Sequence, residues 1–195
     1  MMLGIMAGQR AQTNPDTLTP PVIGEYWADQ GGYYAGVSVL GHYVIVAPRS
    51  SEVVRLYKTT NTDTAGTGSA DASALDLRAA TETAGLPLHP AMSYCASYSG
   101  GGFTDWCLPG SREASVIDAN LNPSTTAAVL FQVGGAQQYR NALTHPNVSD
   151  RWYWLGRTTT AASAMQHRPS APAGLSTWPD KATNSVVRPV RIVPV

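Results

Sequence analysis

The chain has 195 residues, 13 Lys plus Arg against 13 Asp plus Glu, and a pI near 6.9. This balance supplies no overall basic surface for a nucleic-acid backbone, and 43% hydrophobic residues are enough for one sizeable core, which excludes a chain disordered throughout. Charged residues make up only 13% of the total, about half the usual share of roughly 25%, which suits a surface packed against neighbours in an assembly.

The first 21 residues carry no sustained period. They pass through Asn14-Pro15-Asp16 to Pro20-Pro21, which favours extended backbone, so 1–22 is read as an N-terminal arm or linker and 23–195 as the folded domain. The apolar start of the arm (Leu3, Ile5, Met6) is a candidate contact with other subunits. No cation precedes that apolar run and Arg10 follows it, the opposite polarity to a signal peptide, so the expectation is a protein made in a cytoplasm. No stretch approaches the roughly 18 apolar residues of a membrane span, and no membrane insertion is expected.

Tyr33 to Ala47 is rich in Tyr and Val around Gly41 and reads as a hairpin, with Val53 to Tyr57 as a further strand. Lys58 to Ala74 reads as loop. Its oxygens at Asn61, Asp63, Asp71 and Asp76 do not have the spacing of a calcium loop with a closing glutamate, so turn chemistry is the preferred reading and no metal is assigned. Ala74 to Ala84 is a helix ended by Gly85. Pro90 opens a second helix, with Met92, Cys95 and Ala96 on one face before the run Gly100-Gly101-Gly102. Gly110 or Ser111 caps a third, with Glu113 at the positive end of its dipole and Ala114, Ile117 and Leu121 on one side; Asn122-Pro123 ends it. Strands are expected at Ala127 to Val133, Arg151 to Arg157 and Ser185 to Val193, with a long polar loop from Thr158 to Asn184. The fold class is therefore α+β, with small antiparallel sheets, two or three short helices and long loops.

Catalysis needs a nucleophile, a base and an oxyanion donor in one place. His42, His89, His145 and His167 are scattered, and the chain contains no His-Glu-x-x-His, Gly-x-Ser-x-Gly or phosphate-cradling loop. Cys95 and Cys107 are too few for a zinc site or a disulfide scaffold; they could pair, but a cytoplasmic origin favours free thiols, which read as small hydrophobes. No catalytic residue and no cofactor is assigned.

The order of segments carries a resemblance. Ile23-Gly24, then Gly31-Gly32-Tyr33 and a hairpin, a helix holding Cys95, the block Gly102 to Glu113 with Asp105-Trp106 and Leu108-Pro109, then Tyr153-Trp154 and a closing Val187-Arg188-Pro189-Val190-Arg191 are together similar to the Lcl C-terminal domain family. That family is C-type-lectin-like, is related to the formylglycine-generating-enzyme fold, and occurs in bacterial adhesins and in phage tail-fibre and virion proteins. The resemblance runs from about Gly24 to Val193. It departs from the family at Cys107, where Arg is usual, and at Ala114, where Leu is usual. It makes Asp105, Trp106, Leu108, Pro109, Glu113, Trp154, Arg188 and Arg191 a fold signature, in which Trp106 enters the core, Asp105 serves nearby backbone donors and Pro109 stops the strand before the next helix. In the Trp152-Tyr153-Trp154 run, alternate members should face the core, leaving at most one side available. The resemblance does not make Cys95 and Cys107 the copper-holding pair of the formylglycine-generating enzymes.

A rigid sheet presenting long loops is a recognition scaffold. Met165, Gln166, His167, Arg168 and Trp178, in the Thr158 to Asn184 loop, are of interface-forming types, as is Tyr139; Trp178 has the alternative role of pinning the loop to the core. The resulting expectation is a non-enzymatic bacteriophage virion protein, a tail-fibre or tip component for host attachment. It would be held to other virion proteins by its arm and would bind a glycan or protein receptor as a homo-oligomer, a trimer in a fibre. The alternatives are a capsid or tail decoration protein and a relative of the formylglycine-type oxidases.

Overall fold

The computed structural model describes residues 18–121, 152–168 and 175–195. Among these residues two sheets and three α-helices give an α+β architecture. The expected strand at Ala127 to Val133, the helix stop at Asn122-Pro123, and Tyr139 lie outside the described residues.

The first sheet is antiparallel, in the order β1 (Tyr26–Trp27), β2 (Gly32–Val37), β3 (His42–Val46), β9 (Val190–Pro194). The hairpin expected around Gly41 joins β2 to β3: Gly41 takes φ +75° and its N–H donates to Ser38 O at 2.9 Å, while the Ser38 hydroxyl accepts from the N–H groups of Leu40 and His42. The second sheet runs β4 (Val53–Leu56), β8 (Asn184–Val187), β5 (Tyr153–Thr158), β6 (Ala164–Arg168), β7 (Leu175–Thr177). Its β5–β8 pair is parallel, so the expectation of purely antiparallel sheets is corrected there.

The apolar run Ser185 to Val193 is not one strand. It breaks at Arg188-Pro189, so that β8 belongs to the second sheet and β9 to the first. Pro189 has no N–H to give a ladder, its carbonyl accepts from Ala47 N, and the buried Arg188 donates to Ala47 O at 2.9 Å. β-Branched residues on both sides hide this crossing from a propensity reading.

The helices are α1 (Ala74–Ala84), α2 (Pro90–Ser97) and α3 (Ser111–Leu121), as their caps dictate. Ser73 and Asp76 form a reciprocal capping box on α1, and Gly85 ends it at φ +102°. Glu113 reaches back to the Gly110 N–H at 3.0 Å, the acidic half of the same device on α3. Burial pushes the Glu113 carboxyl above the usual carboxylate range.

Residues from all three helices and both sheets meet in one core, which includes Val44, Ile192, Trp154, Val187, Met92, Cys95 and Leu121. Cys95 and Cys107 both lie in it as free, buried thiols, and burial pushes each well above the ordinary thiol range. A second cluster covers the other face of the first sheet. There Trp27, Tyr34 and Tyr43 pack edge to face with centroids 5.4–5.7 Å apart, and Ile45, Ala47 and Trp106 complete the group, with Leu18 seated against it.

Trp106 enters this second cluster fully buried, its ring 5.2 Å from Tyr98 and its Nε1–H donating to Gly100 O. Asp105 does not serve backbone donors. Both of its oxygens accept from the Arg191 guanidinium, Oδ2 at 2.8 Å, because β9 brings that cation within reach before any backbone N–H. Cys107 makes a single bridge to Val190, Pro109 follows, and α3 begins at Ser111. Leu108 is buried as well. Trp106→Ala is expected to cost about 3–5 kcal/mol as the truncation of a large core side chain. Thermal melting checks this, and wild-type melting behaviour would contradict the core role.

Candidate functional site

Between Thr158 and Asn184 the structure places a hairpin where a loop is expected. Ala-Met-Gln-His-Arg has few strand-favouring residues, yet β6 pairs with β5 on one side and with β7 on the other. Pairing alternates its side chains. Gln166 is buried opposite Trp154, and Arg168 lies with its guanidinium 5.5 Å over the Trp152 ring. Met165 and His167 point the other way, toward α3, where the Ser111 hydroxyl lies 3.6 Å from the Met165 sulfur. The five residues are therefore divided between two faces of a sheet rather than gathered on one loop.

Tyr153 and Trp154 are both fully or nearly buried, within the expectation that at most one side of this strand is available. β5 lies in the middle of its sheet. Trp154 Nε1–H donates to Arg55 O at 2.8 Å against the Tyr57 ring, and the Tyr153 hydroxyl donates to Glu52 at 2.9 Å.

On the α3 side, His167 Nε2 and Asp118 Oδ2 are 2.6 Å apart and His167 Nδ1 and the Ser176 hydroxyl 3.1 Å apart. With Asp118 accepting from Nε2–H, Nδ1 is left to accept from Ser176, the arrangement by which an imidazole polarises a hydroxyl. Ser176 is exposed on the edge strand β7, so the chain operates in water, and its mechanical effect is to tie β7 through β6 to α3. Beside His167 lies a small apolar cleft of about 30 Å³, lined by Ile117, Tyr153, Leu155, Val190 and Arg188. Arg188 is held by Ala47 O and by Glu52, 3.5 Å away. The cleft has room for little more than a water molecule or two, and its two polar walls already have partners within the protein.

Trp178 is 37% exposed and the Arg157 guanidinium lies 5.0 Å over its ring. The β6–β7 register sets Trp178 opposite Met165, on the α3 side, whereas Trp152 and Arg168 make the same kind of pair on the other face of the sheet. Trp178 thus does not pin a loop into the core. It stands at the surface with its orientation held by an arginine, and Arg157 is the member of this group that sequence reasoning passed over. Only the strand pairing reveals it, since Arg157 and Trp178 are 21 positions apart.

The loop 58–74 uses its oxygens as the turn reading expects. Asp63 accepts from Thr64 N, Asp71 pairs with Arg112, Asp76 caps α1, and the Asn61 amide donates to Asp180. Among the described residues no three His, Cys, Asp or Glu gather where they would hold a metal ion. Cys95 and Cys107 fit poorly as copper ligands, because the apolar core around them disfavours the thiolate that copper needs. The loop is organised instead by two buried lysines the sequence did not single out. Lys58 Nζ donates to Thr62 O, Asp63 O and Thr64 Oγ1 at 2.8–3.1 Å, and Lys181 Nζ donates to the same Thr62 O. His89 Nε2 meets Thr64 Oγ1 at 2.9 Å and its Nδ1 meets Gly85 O.

No family model matches the sequence, and comparison with curated proteins returns no significant match. No helix among the described residues is long and apolar enough to cross a membrane.

Burial, together with the nearby charges of Lys58 and Lys181, pulls the His89 imidazole below its usual value near 6.5. The unfolded chain is then protonated first as pH falls through 6.5, so His89 contributes stability above that value that is lost progressively below it. Urea unfolding from pH 7.5 to 5.5 is expected to show a loss of stability with acidification that His89→Gln reduces; equal slopes in the two proteins would contradict the assignment.

Proposed function

We propose that this chain is a non-enzymatic component of a bacteriophage virion. In this reading it is a C-type-lectin-like domain held to other virion proteins by its N-terminal arm, presenting the β5–β7 side of its second sheet to a receptor on the host surface. The observation that carries the binding part of the proposal is the arginine-stacked Trp178. Arg157 over its ring fixes a large amphipathic side chain at the surface before any partner arrives, which lowers the entropy lost on binding. An exposed ring with a guanidinium fixed beside it suits the apolar faces and hydroxyls of a glycan, and equally the aromatic or acidic side chains of a protein receptor.

The virion part of the reading is supported by the segment order and signature residues and by the low content of charge. In this reading the two tasks use different surfaces, since Leu18 packs against the first sheet while Trp178 follows the second. Catalysis is not part of the proposal, because the His167 chain ends on an exposed hydroxyl and the thiols are sealed in the core.

The test has two parts. Electron cryo-microscopy of purified particles is expected to place the protein at a tail tip or fibre end, and the free protein is expected to compete with particles for adsorption to the host. Trp178→Ala should weaken that competition roughly 30-fold, the loss of about 2 kcal/mol typical of an aromatic anchor, without changing the melting temperature. A protein that coats the head or tail and does not compete is a decoration protein, and undiminished competition by Trp178→Ala would remove this surface from recognition.

A further inference from the structure

One end of the first sheet carries apolar side chains that nothing among the described residues covers. Three separate segments meet there. The β2–β3 turn supplies Val37, Val39 and Leu40; the approach to β1 supplies Val22 and Ile23; and the end of β9 supplies Val195. Register brings them together: His42 pairs with Pro194, so Val195 follows beside the turn, and Gly24 N donates to Tyr34 O, which sets Ile23 next to Gly36. Their exposures run from 37% at Ile23 to 80% at Val39.

The composition of this end is as informative as its exposure. Residues 18–24, 36–47 and 192–195 contain no Asp, Glu, Lys or Arg, and His42 is the one ionisable side chain in them apart from the phenol of Tyr43. Glu25 stands at the rim, accepting from Val22 N at 3.3 Å. A monomer in water gains nothing from a large face without charge; hairpin turns are usually the polar part of a sheet, and Val-Ser-Val-Leu is an unusual turn sequence on that account.

The area decides what can cover it. Six side chains at these exposures present on the order of 500 Å² of apolar surface, near the upper end of the largest patch a monomer usually shows. A standard interface buries about 800 Å² on each partner, a little over half of it apolar, so the patch matches the apolar share of one side of such an interface. We propose that this end of the first sheet is a two-fold interface with the same end of a second copy of this chain. Side chains without charge demand no complementary charged partner, and identical apolar side chains meet about a two-fold axis without a side-chain charge clash. The inference does not rest on the attachment reading, because it concerns the first sheet alone and not the arginine-stacked Trp178.

Mass photometry and sedimentation velocity of the full chain over a hundredfold concentration range are expected to show a reversible dimer. Val39→Asp, at an exposed turn position that folding does not need, should raise the dissociation constant at least about tenfold while leaving thermal unfolding of the monomer unchanged. A second variant, Leu40→Lys, should do the same. A full chain that stays monomeric overturns the proposal, as does an oligomer that both variants leave intact or one built on three copies. A chain that is monomeric whole but dimerises once residues 1–17 are deleted also overturns it, and would show that the arm itself covers the patch.

Discussion

The fold turns on one guanidinium. Arg191 enters from the last strand, 5% exposed, and spends four of its five N–H donors at once: Nε and Nη2 on the two oxygens of Asp105, and both protons of Nη1 on the backbone and side-chain oxygens of Gln30. Its planar face lies 3.6 Å from the centre of the Phe103 ring, with Trp106 behind. Three stretches far apart in sequence, the turn after β1, the segment before α3 and the final strand, are thereby fixed to one another. Gly31 and Gly101 approach so closely beside this point that a methyl group on Gly31 would come within 2.7 Å of the Gly101 Cα, and both have positive φ. Once the first sheet and the 100–106 segment are locked, the start of α3 is placed as well, and with it Asp118 and the tie to β6.

Buried cations recur. Lys58, Lys181 and Arg188 are buried along with Arg191, each giving its donors to carbonyl, hydroxyl or carboxylate oxygens inside the protein. A chain with only 13 cations that withdraws four of them leaves a surface even less charged than its composition indicates. The lysines do for the 58–67 loop what a bound metal ion does elsewhere, collecting carbonyl oxygens around a positive charge. Burial lowers both of their proton affinities, a cost that the loop's many oxygens offset.

What the sequence disclosed follows physical range. Caps and turns act over three or four residues, so the three helices, the hairpin at Gly41 and the stop at Gly85 were legible, as was the deep burial of Trp106. Strand partners are set by tertiary contact, and there the sequence misled: Ser185 to Val193 reads as one strand because its β-branched residues outweigh the single Pro189, and which sheet each half joins depends on Ala47 and Val53, roughly 130 residues or more away. Ala164 to Arg168 reads as loop because its pairing partners on either side supply what its own propensity lacks. The candidate site suffered most from this. Met165, Gln166, His167 and Arg168 were picked for their chemical types, but the period of two divides them, giving Arg168 to a stacked aromatic surface and His167 to an internal tie with Asp118. Arg157 and the buried lysines were missed because their roles exist only once distant segments have met.

The central claim, that the planar fork of Arg191 joins these segments, is tested most directly by the unfolding free energy of Arg191→Lys. The substitution keeps the charge and most of the length while removing the fork and the flat face that lies on Phe103. The account predicts a loss of roughly 2 kcal/mol or more, since a lysine cannot satisfy Asp105 and Gln30 together and leaves polar groups beneath the rings without partners. A variant as stable as the wild type to within about 0.5 kcal/mol, the range of an ordinary surface substitution, would contradict it.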